Sequence, residues 1–251
     1  MDNENVIRAR LREACEKSSR YQTYIYTDFL DPGGVSIYKT MIRELTASKS
    51  TLFGGFPQAE HQMVIFGSEE ELGYPPDPPV VLLKISPANT RFSEELTHRD
   101  FLGSLMGLGI RREVMGDLLV RDSVCCVYCL DSMSEYIRTN LTQVKHTFVR
   151  AEEIPGLPEG MQPRIENFSL VSASMRIDAI CAALTRESRS TVLSRFRSGE
   201  IFLNGVQAAD GSRKCSPGDS LVIRHVGRFA IGEISGVTRS GRIRIECGRY
   251  V

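Results

Sequence analysis

Eight cationic side chains fall within the fifty residues Met175–Arg224: Arg176, Arg186, Arg189, Arg195, Arg197, Arg213, Lys214 and Arg224. A guanidinium grips phosphate through two parallel N–H groups and stacks on unpaired bases, so this density of arginine suits an RNA backbone. Arg186 and Arg189 flank a turn between two short helical patterns, where the following helix start offers N–H groups and a positive dipole end. They are the first candidates for RNA contact. Arg195 and Arg197 are weaker candidates, because arginine stems also cover apolar surface. Net charge is zero over the 251 residues, yet it is unevenly spread: residues 175–251 hold 13 Lys+Arg against 7 Asp+Glu, and residues 1–174 hold 18 against 24. A basic tail on an acidic body points to a polyanionic partner for the tail.

Other chemistry is poorly supported. The run His98-Arg99-Asp100 evokes a kinase catalytic loop, but the asparagine expected five residues on is Leu105, and no phosphate loop accompanies it. His98 and Arg99 read instead as the polar start of a helix that touches RNA. Gly103, Gly107 and Gly109 do not form a dinucleotide fingerprint after a strand. Asp117 follows Gly116 at a strand entry, where a turn role is expected. Cys126 and Cys129 make a C-x-x-C, but on a strand residues three apart face opposite ways, so no metal is expected. Seven cysteines without regular spacing suit a reducing cytoplasm. There is no apolar run of the ~18–20 residues that would span a bilayer, and the opening MDNENVIRARLREACEK lacks the apolar stretch of a signal peptide. A cytoplasmic monomer without cofactor, metal, catalytic residue or membrane contact is expected.

The elements that hold these residues follow from periodicity. Val6, Ile7, Leu11, Ala14 and Cys15 predict an amphipathic helix over 3–19, and Ile37, Met41 and Leu45 a second over 36–47. Tyr21–Tyr26 and Asp31-Pro-Gly-Gly34 read as a connection rich in turn residues. Strands are predicted at Thr51–Phe53, Gln62–Phe66, Val80–Ser86, Asp117–Val120, Val124–Leu130 and His146–Arg150, with helices over Thr97–Leu108 and Ser132–Gln143. The loop 67–79 reads as irregular, and the Pro- and Gly-rich stretch from Ile154 as a linker. Beyond it Ile177, Ile180, Cys181 and Leu184 form one buried helical stripe, and Ser188 caps a second helix whose Val192, Leu193 and Phe196 face inward. Ile201–Leu203 enters an Asn204-Gly205 hairpin turn, Leu221–Arg224 is a strand, and the tail is a hairpin with its tip at 238–241. The division expected is a helical region 1–49, an α+β domain 50–153 that resembles the RRM-like or ferredoxin-like arrangement, a linker 154–174 and a basic domain 175–251.

Arg176-Ile-Asp178, Ser188-Arg189, the run from Gly199 to Asn204-Gly205, and Gly218-Asp219 resemble the RNA-binding module named after ribosomal protein S-four, or αL motif. That resemblance implies binding of structured RNA through Arg176, Arg186, Ser188, Arg189, Arg195, Arg197, Lys214 and Arg224. The stretch Leu96–Glu113, the run Gly116-Asp-Leu-Leu-Val120 and the closing Arg249-Tyr-Val251 are similar to the YlmH-type bacterial family. This second resemblance implies a cytoplasmic protein that binds rRNA of the large ribosomal subunit, with peptidyl-tRNA and ribosomal proteins as further partners. It also implies a part in rescue and quality control of stalled, tRNA-obstructed subunits. The alternative from another class is an RNA-modifying enzyme, of pseudouridine synthase or methyltransferase type, targeted by the module. About one hundred residues of middle domain leave little room for such a catalytic cleft.

Overall fold

The computed structural model describes residues 2–89 and 94–251, and the chain divides into two compact units, Met1–Gln162 and Pro163–Val251. The first unit opens with α1 (Asp2–Tyr21), β1 (Ile25–Tyr26) and α2 (Pro32–Met41). The Asp-Pro-Gly-Gly sequence expected to be a turn is instead the start of α2. The Asp31 carboxylate accepts from the Gly34 N–H at 2.7 Å, and Pro32 occupies the first helical turn, where no N–H is needed. Two strands assigned from sequence to the middle domain, β2 (Ser50–Phe53) and β3 (Met63–Phe66), pair with β1 in a separate three-stranded sheet of order β1-β3-β2. Val64 and Phe66 send them there, because both pack on Leu11, Cys15, Tyr38 and Met41 of the two helices. The loop expected to be irregular contains one helical turn, α3 (Glu69–Leu72), capped by Ser68 and ended by Gly73 at φ 82°. It is tied back by Tyr24, whose hydroxyl donates to the Tyr74 carbonyl at 2.7 Å.

The rest of the first unit is β4 (Val80–Pro87), α4 (His98–Gly107), β5 (Met115–Arg121), β6 (Val124–Leu130), α5 (Asp131–Asn140), β7 (Gln143–Val144) and β8 (Thr147–Ile154). Every pair is antiparallel and the sheet order is β5-β6-β4-β8-β7. A βαββαβ chain with that order is the ferredoxin-like, RRM-like fold expected from sequence. Period-two alternation sends Leu83, Ile85, Cys125, Val127 and Cys129 to the helix side, against Phe101, Leu105 and Ile137. Leu82, Cys126 and Tyr128 face the other way, onto Phe56, Ala59, Leu157 and Met161. Cys126 and Cys129 thus lie on opposite faces.

In the second unit β9 (Ile165–Ser172) lies inside the stretch read from sequence as a linker. Its Phe168 and Leu170 alternate inward with polar neighbours outward, and it pairs with eight residues of the final strand. Then come α6 (Ile177–Thr185), α7 (Arg189–Arg197), β10 (Ile201–Leu203), β11 (Val206–Gln207), β12 (Ser220–Ile223), β13 (Gly227–Val237) and β14 (Ile243–Tyr250). The sheet order is β11-β10-β12-β13-β14-β9, so the terminal hairpin is built into a six-stranded sheet instead of extending from it. Ile177, Ile180, Cys181, Val192 and Phe196 close one face of this sheet over Leu203, Leu221, Phe229 and Ile245. Asn204 and Gly205 both take positive φ, 52° and 75°, as a two-residue hairpin turn requires. Among the described residues no helix is long and apolar enough to cross a membrane.

Phe56 is 7% exposed and stacks on Tyr128, with ring centroids 6.5 Å apart, whereas Phe148 of β8 is 68% exposed. Phe56→Ala should therefore lower unfolding free energy by about 3 kcal/mol. Phe148→Ala should change it by no more than about 0.5 kcal/mol. Urea denaturation of the two variants reads the difference.

Candidate nucleic-acid interface

Helix α6 ends in Arg186, held in the left-handed region at φ 57°. The Thr185 hydroxyl donates to the Cys181 carbonyl and accepts from the Glu187 N–H, which steers the chain out of the helix. Ser188 then starts α7, its hydroxyl accepting from the Thr191 N–H at 3.3 Å and meeting those of Ser190 and Thr191. Ser188 is therefore committed to the cap. Arg186 and Arg189 are exposed on either side of it, and neither forms an ion pair among the described residues. Arg186 also lines a groove of about 420 Å³ that Arg249 shares with Asn167, Ser169 and Leu184.

The remaining cations of this unit divide by what holds them. The Arg195 side chain, 20% exposed, donates from Nε and Nη2 to Glu187 at 2.8 Å each and from Nη1 to Glu200 at 2.6 Å. Hydrogen bonding to Glu187, opposed by desolvation and reinforced by Glu200, drives its pKa upward. Arg195 is thus an internal brace. Arg176 is bound bidentately to Asp178, at 3.0 and 2.9 Å, and Asp178 is lowered first by that hydrogen bond and further by the charge of Arg189. Lys214 is brought beside Arg176 by a β-bridge, and the Ile177 N–H donates to the Arg213 carbonyl at 2.9 Å. Arg176 and Arg189 therefore gather round Asp178 at the start of α6, with Lys214 joined to Arg176 through the backbone. Arg197 is exposed in the last turn of α7, about 12 Å along the axis from Arg189. Arg224, at the end of β12, lies 5.0 Å over the Phe202 ring, on the sheet face away from the helices.

In the first unit His98 and Arg99 are exposed at the start of α4. The turn is fixed by Asp100, whose carboxylate accepts from the Thr97 hydroxyl at 2.6 Å, the Thr97 N–H at 2.8 Å and Lys145 at 2.9 Å. Those hydrogen bonds, led by the Thr97 hydroxyl, hold Asp100 down to about 2. His98 is lowered by partial burial and then by the charge of Arg112. Two features escaped the sequence reading. Asp117 is no turn residue: it accepts from the Glu60 N–H at 2.5 Å, the His61 N–H at 3.2 Å and the His61 Nδ1 at 2.5 Å, pinning the loop before β3. Burial raises its pKa, but the His61 ring and the two backbone donors outweigh burial, so the net shift is downward. Only tertiary contact joins residues so far apart, and no local spacing signals it.

The second feature is the sheet platform. RRM-type sheets stack bases on aromatics of the two central strands. Here the corresponding face of β4 and β6 is sealed: Phe56 covers Tyr128, and Gly55, at φ 86°, passes so close that an added Cβ would sit 2.5 Å from the Tyr128 ring. What remains open is the β8 side, where exposed Phe148 and Arg150 share one face. Alternation in Thr147-Phe-Val-Arg150 carries that signal. Cys129, Cys181 and Cys215 offer no reactive thiolate, since burial pushes them up to about 12.

Residues 77–157, which enclose the whole βαββαβ fold, match the family model described as "Putative RNA-binding domain in YlmH". Over that stretch the chain is similar to the YlmH-type proteins. It is 27% identical over 228 residues to "Ribosome-associated protein quality control protein P2" of Bacillus subtilis (strain 168), covering 89% of this chain and 86% of that protein. A solved structure, "Cell division protein ylmH from Streptococcus pneumoniae", aligns with a TM-score of 0.49 at 21% identity, over 62% of this chain and 93% of that one. The YlmH-type match falls on the α+β domain, while the similarity to the Bacillus protein extends over both units.

Asp117→Asn should cost about 2 kcal/mol at neutral pH by removing a charged acceptor from three donors. Its folded pKa lies below the ordinary 3.8, so its contribution is present above that value and lost as pH falls through the folded pKa. Urea unfolding at a series of pH values should show the gap between wild type and variant closing below about pH 4.

Proposed function

We propose that this chain is a non-enzymatic RNA-binding protein that recognises rRNA of the large ribosomal subunit and acts in quality control of stalled, tRNA-obstructed subunits. The observation that carries the reading is the 228-residue similarity, through both units, to a protein named for ribosome-associated quality control. The geometry supplies the means. Arg186 and Arg189, without an ion pair among the described residues, grip phosphates of a folded RNA beside the start of α7, and Arg176 with Lys214, its bridge partner, extends the cationic surface. Arg197 adds a peripheral phosphate contact, whereas Arg195 acts by holding α7 in place. The α+β domain contributes through its open β8 side and through His98 and Arg99, toward peptidyl-tRNA or a ribosomal protein. A cytoplasmic monomer meets all these requirements.

Arg186→Ala with Arg189→Ala should weaken co-sedimentation with purified large subunits at least tenfold at 150 mM salt, since each charge-assisted contact is worth about 1.5 kcal/mol or more. The slope of log affinity against log salt should flatten by about two units, one per lost phosphate contact. Unchanged sedimentation and slope would sink the role given to the interhelical turn.

A further inference from the structure

The sheet of the second unit has two faces, and α6 and α7 cover only one. Strand register places Phe202, Val222, Arg228, Tyr250 and Ile165 in a single row across the other face, from β10 through β12, β13 and β14 to β9. All five are partly exposed. The two aromatics of this row are each capped by a cation. The Arg224 guanidinium lies 5.0 Å over Phe202, and that of Arg228 lies 3.9 Å over Tyr250, while Arg228 Nε donates to the Ser220 hydroxyl at 3.2 Å. The adjacent row is small: Ser220, Ala230, Gly248 and Asn167. Gly248 cannot carry a side chain, because a Cβ there would lie 2.4 Å from Ile165. A shallow trough therefore runs across the strands, floored by small residues and bordered on one side by rings and guanidinium planes.

We propose that this trough is a second RNA site, which takes an unpaired stretch of RNA across the sheet. It rests on the reading of the chain as an RNA-binding protein, and adds the class of RNA and the surface. The charge of the face favours a polyanion: Arg228 and Arg244 stand at its register positions and Arg224 over Phe202, with Glu246 and the bulged Glu233 as the acidic groups of β13 and β14 beside them. An arginine laid on a ring offers its outer plane to a base, completing a stack of ring, guanidinium and base. Phe202 and Tyr250 are three strand spacings, about 14 Å, apart, so they engage different bases. A duplex cannot present its bases to a flat sheet, whereas a single strand can splay them. The helices thus hold folded RNA by its phosphates, and the opposite face holds a neighbouring unpaired segment by its bases.

The test uses the full chain, a fluorescein-labelled decauridylate, and the same strand paired with decaadenylate. Fluorescence anisotropy should show the single strand bound more tightly than the duplex. Arg228→Gln with Tyr250→Leu should weaken single-strand binding at least tenfold, in line with about 1–3 kcal/mol per stacked base. Arg186→Ala with Arg189→Ala should keep the preference for single strand over duplex, whatever it does to large-subunit sedimentation, so each site can fail without the other. Equal affinity for both probes, no binding by wild type, or no loss in the Arg228/Tyr250 variant overturns the proposal. So does a concentration-dependent dimer that this variant abolishes while wild type ignores the oligonucleotide, which would assign the face to a second copy. Circular dichroism checks the fold of the variant. Photocrosslinking of wild type to 5-iodouridine RNA gives a readout free of substitution: adducts on Phe202 or Tyr250 support the trough, and adducts confined to residues 186–197 overturn it.

Discussion

The basic module depends on one guanidinium that does not face solvent. Arg195 reaches back to Glu187, just before α7, and forward to Glu200, just after it. Bidentate, charge-assisted bonds of this kind are directional, so they fix orientation as well as distance. Both ends of a nine-residue helix are thereby referred to one side chain in its own last turn. The left-handed Arg186 and the Ser188 cap lie in the segment so constrained, and β10 begins one residue after Glu200. The brace consumes the negative charge of Glu187 and Glu200, which would otherwise neutralise the cations on the turn. One arginine held by two carboxylates thus leaves the charges of Arg186 and Arg189 without those acidic partners.

Each unit solves the problem of a two-faced sheet differently. In the first, the α+β sheet is helix-covered on one side and half closed by Phe56, Leu157 and Met161 on the other. That closure buries the central strands, where an RRM-like sheet would read bases, and leaves the margin at Phe148 and Arg150. In the second, no helix covers the corresponding face, and its rings are covered by arginines in place of a loop.

The readable part of this fold was what repeats locally. The apolar runs Val80–Ser86 and Val124–Leu130, the stripe Ile177-Ile180-Cys181, and the Asn204-Gly205 turn all survive into the structure because neighbours in sequence determine them. Errors arose where long-range packing decides. Ser50–Phe53 and Met63–Phe66 look like any short strands, and only the apolar faces of α1 and α2 select their sheet. Asp31-Pro-Gly-Gly has turn composition, yet the carboxylate finds Gly34 and starts a helix. Charge showed the same limit: composition identified the arginine cluster, but not that Arg195 is spent on carboxylates while Arg186 and Arg189 are not. Asp117 and His61 could not be paired from sequence at all, since 56 residues separate them.

The pairing of β9 with β14 has a consequence for how the second unit comes into being. Its first strand is completed by its last: Ile165 lies against Tyr250 and Ser172 against Ile243. During synthesis α6, α7 and the short strands can collapse early, but the β9 edge stays without its partner until residues through Tyr250 have left the ribosomal tunnel. Closure over so long a loop is the slow step for a sheet of this kind. The basic face is therefore assembled before its far edge is sealed, and a nascent chain of this protein would carry an open strand template for most of the time that the unit takes to be made.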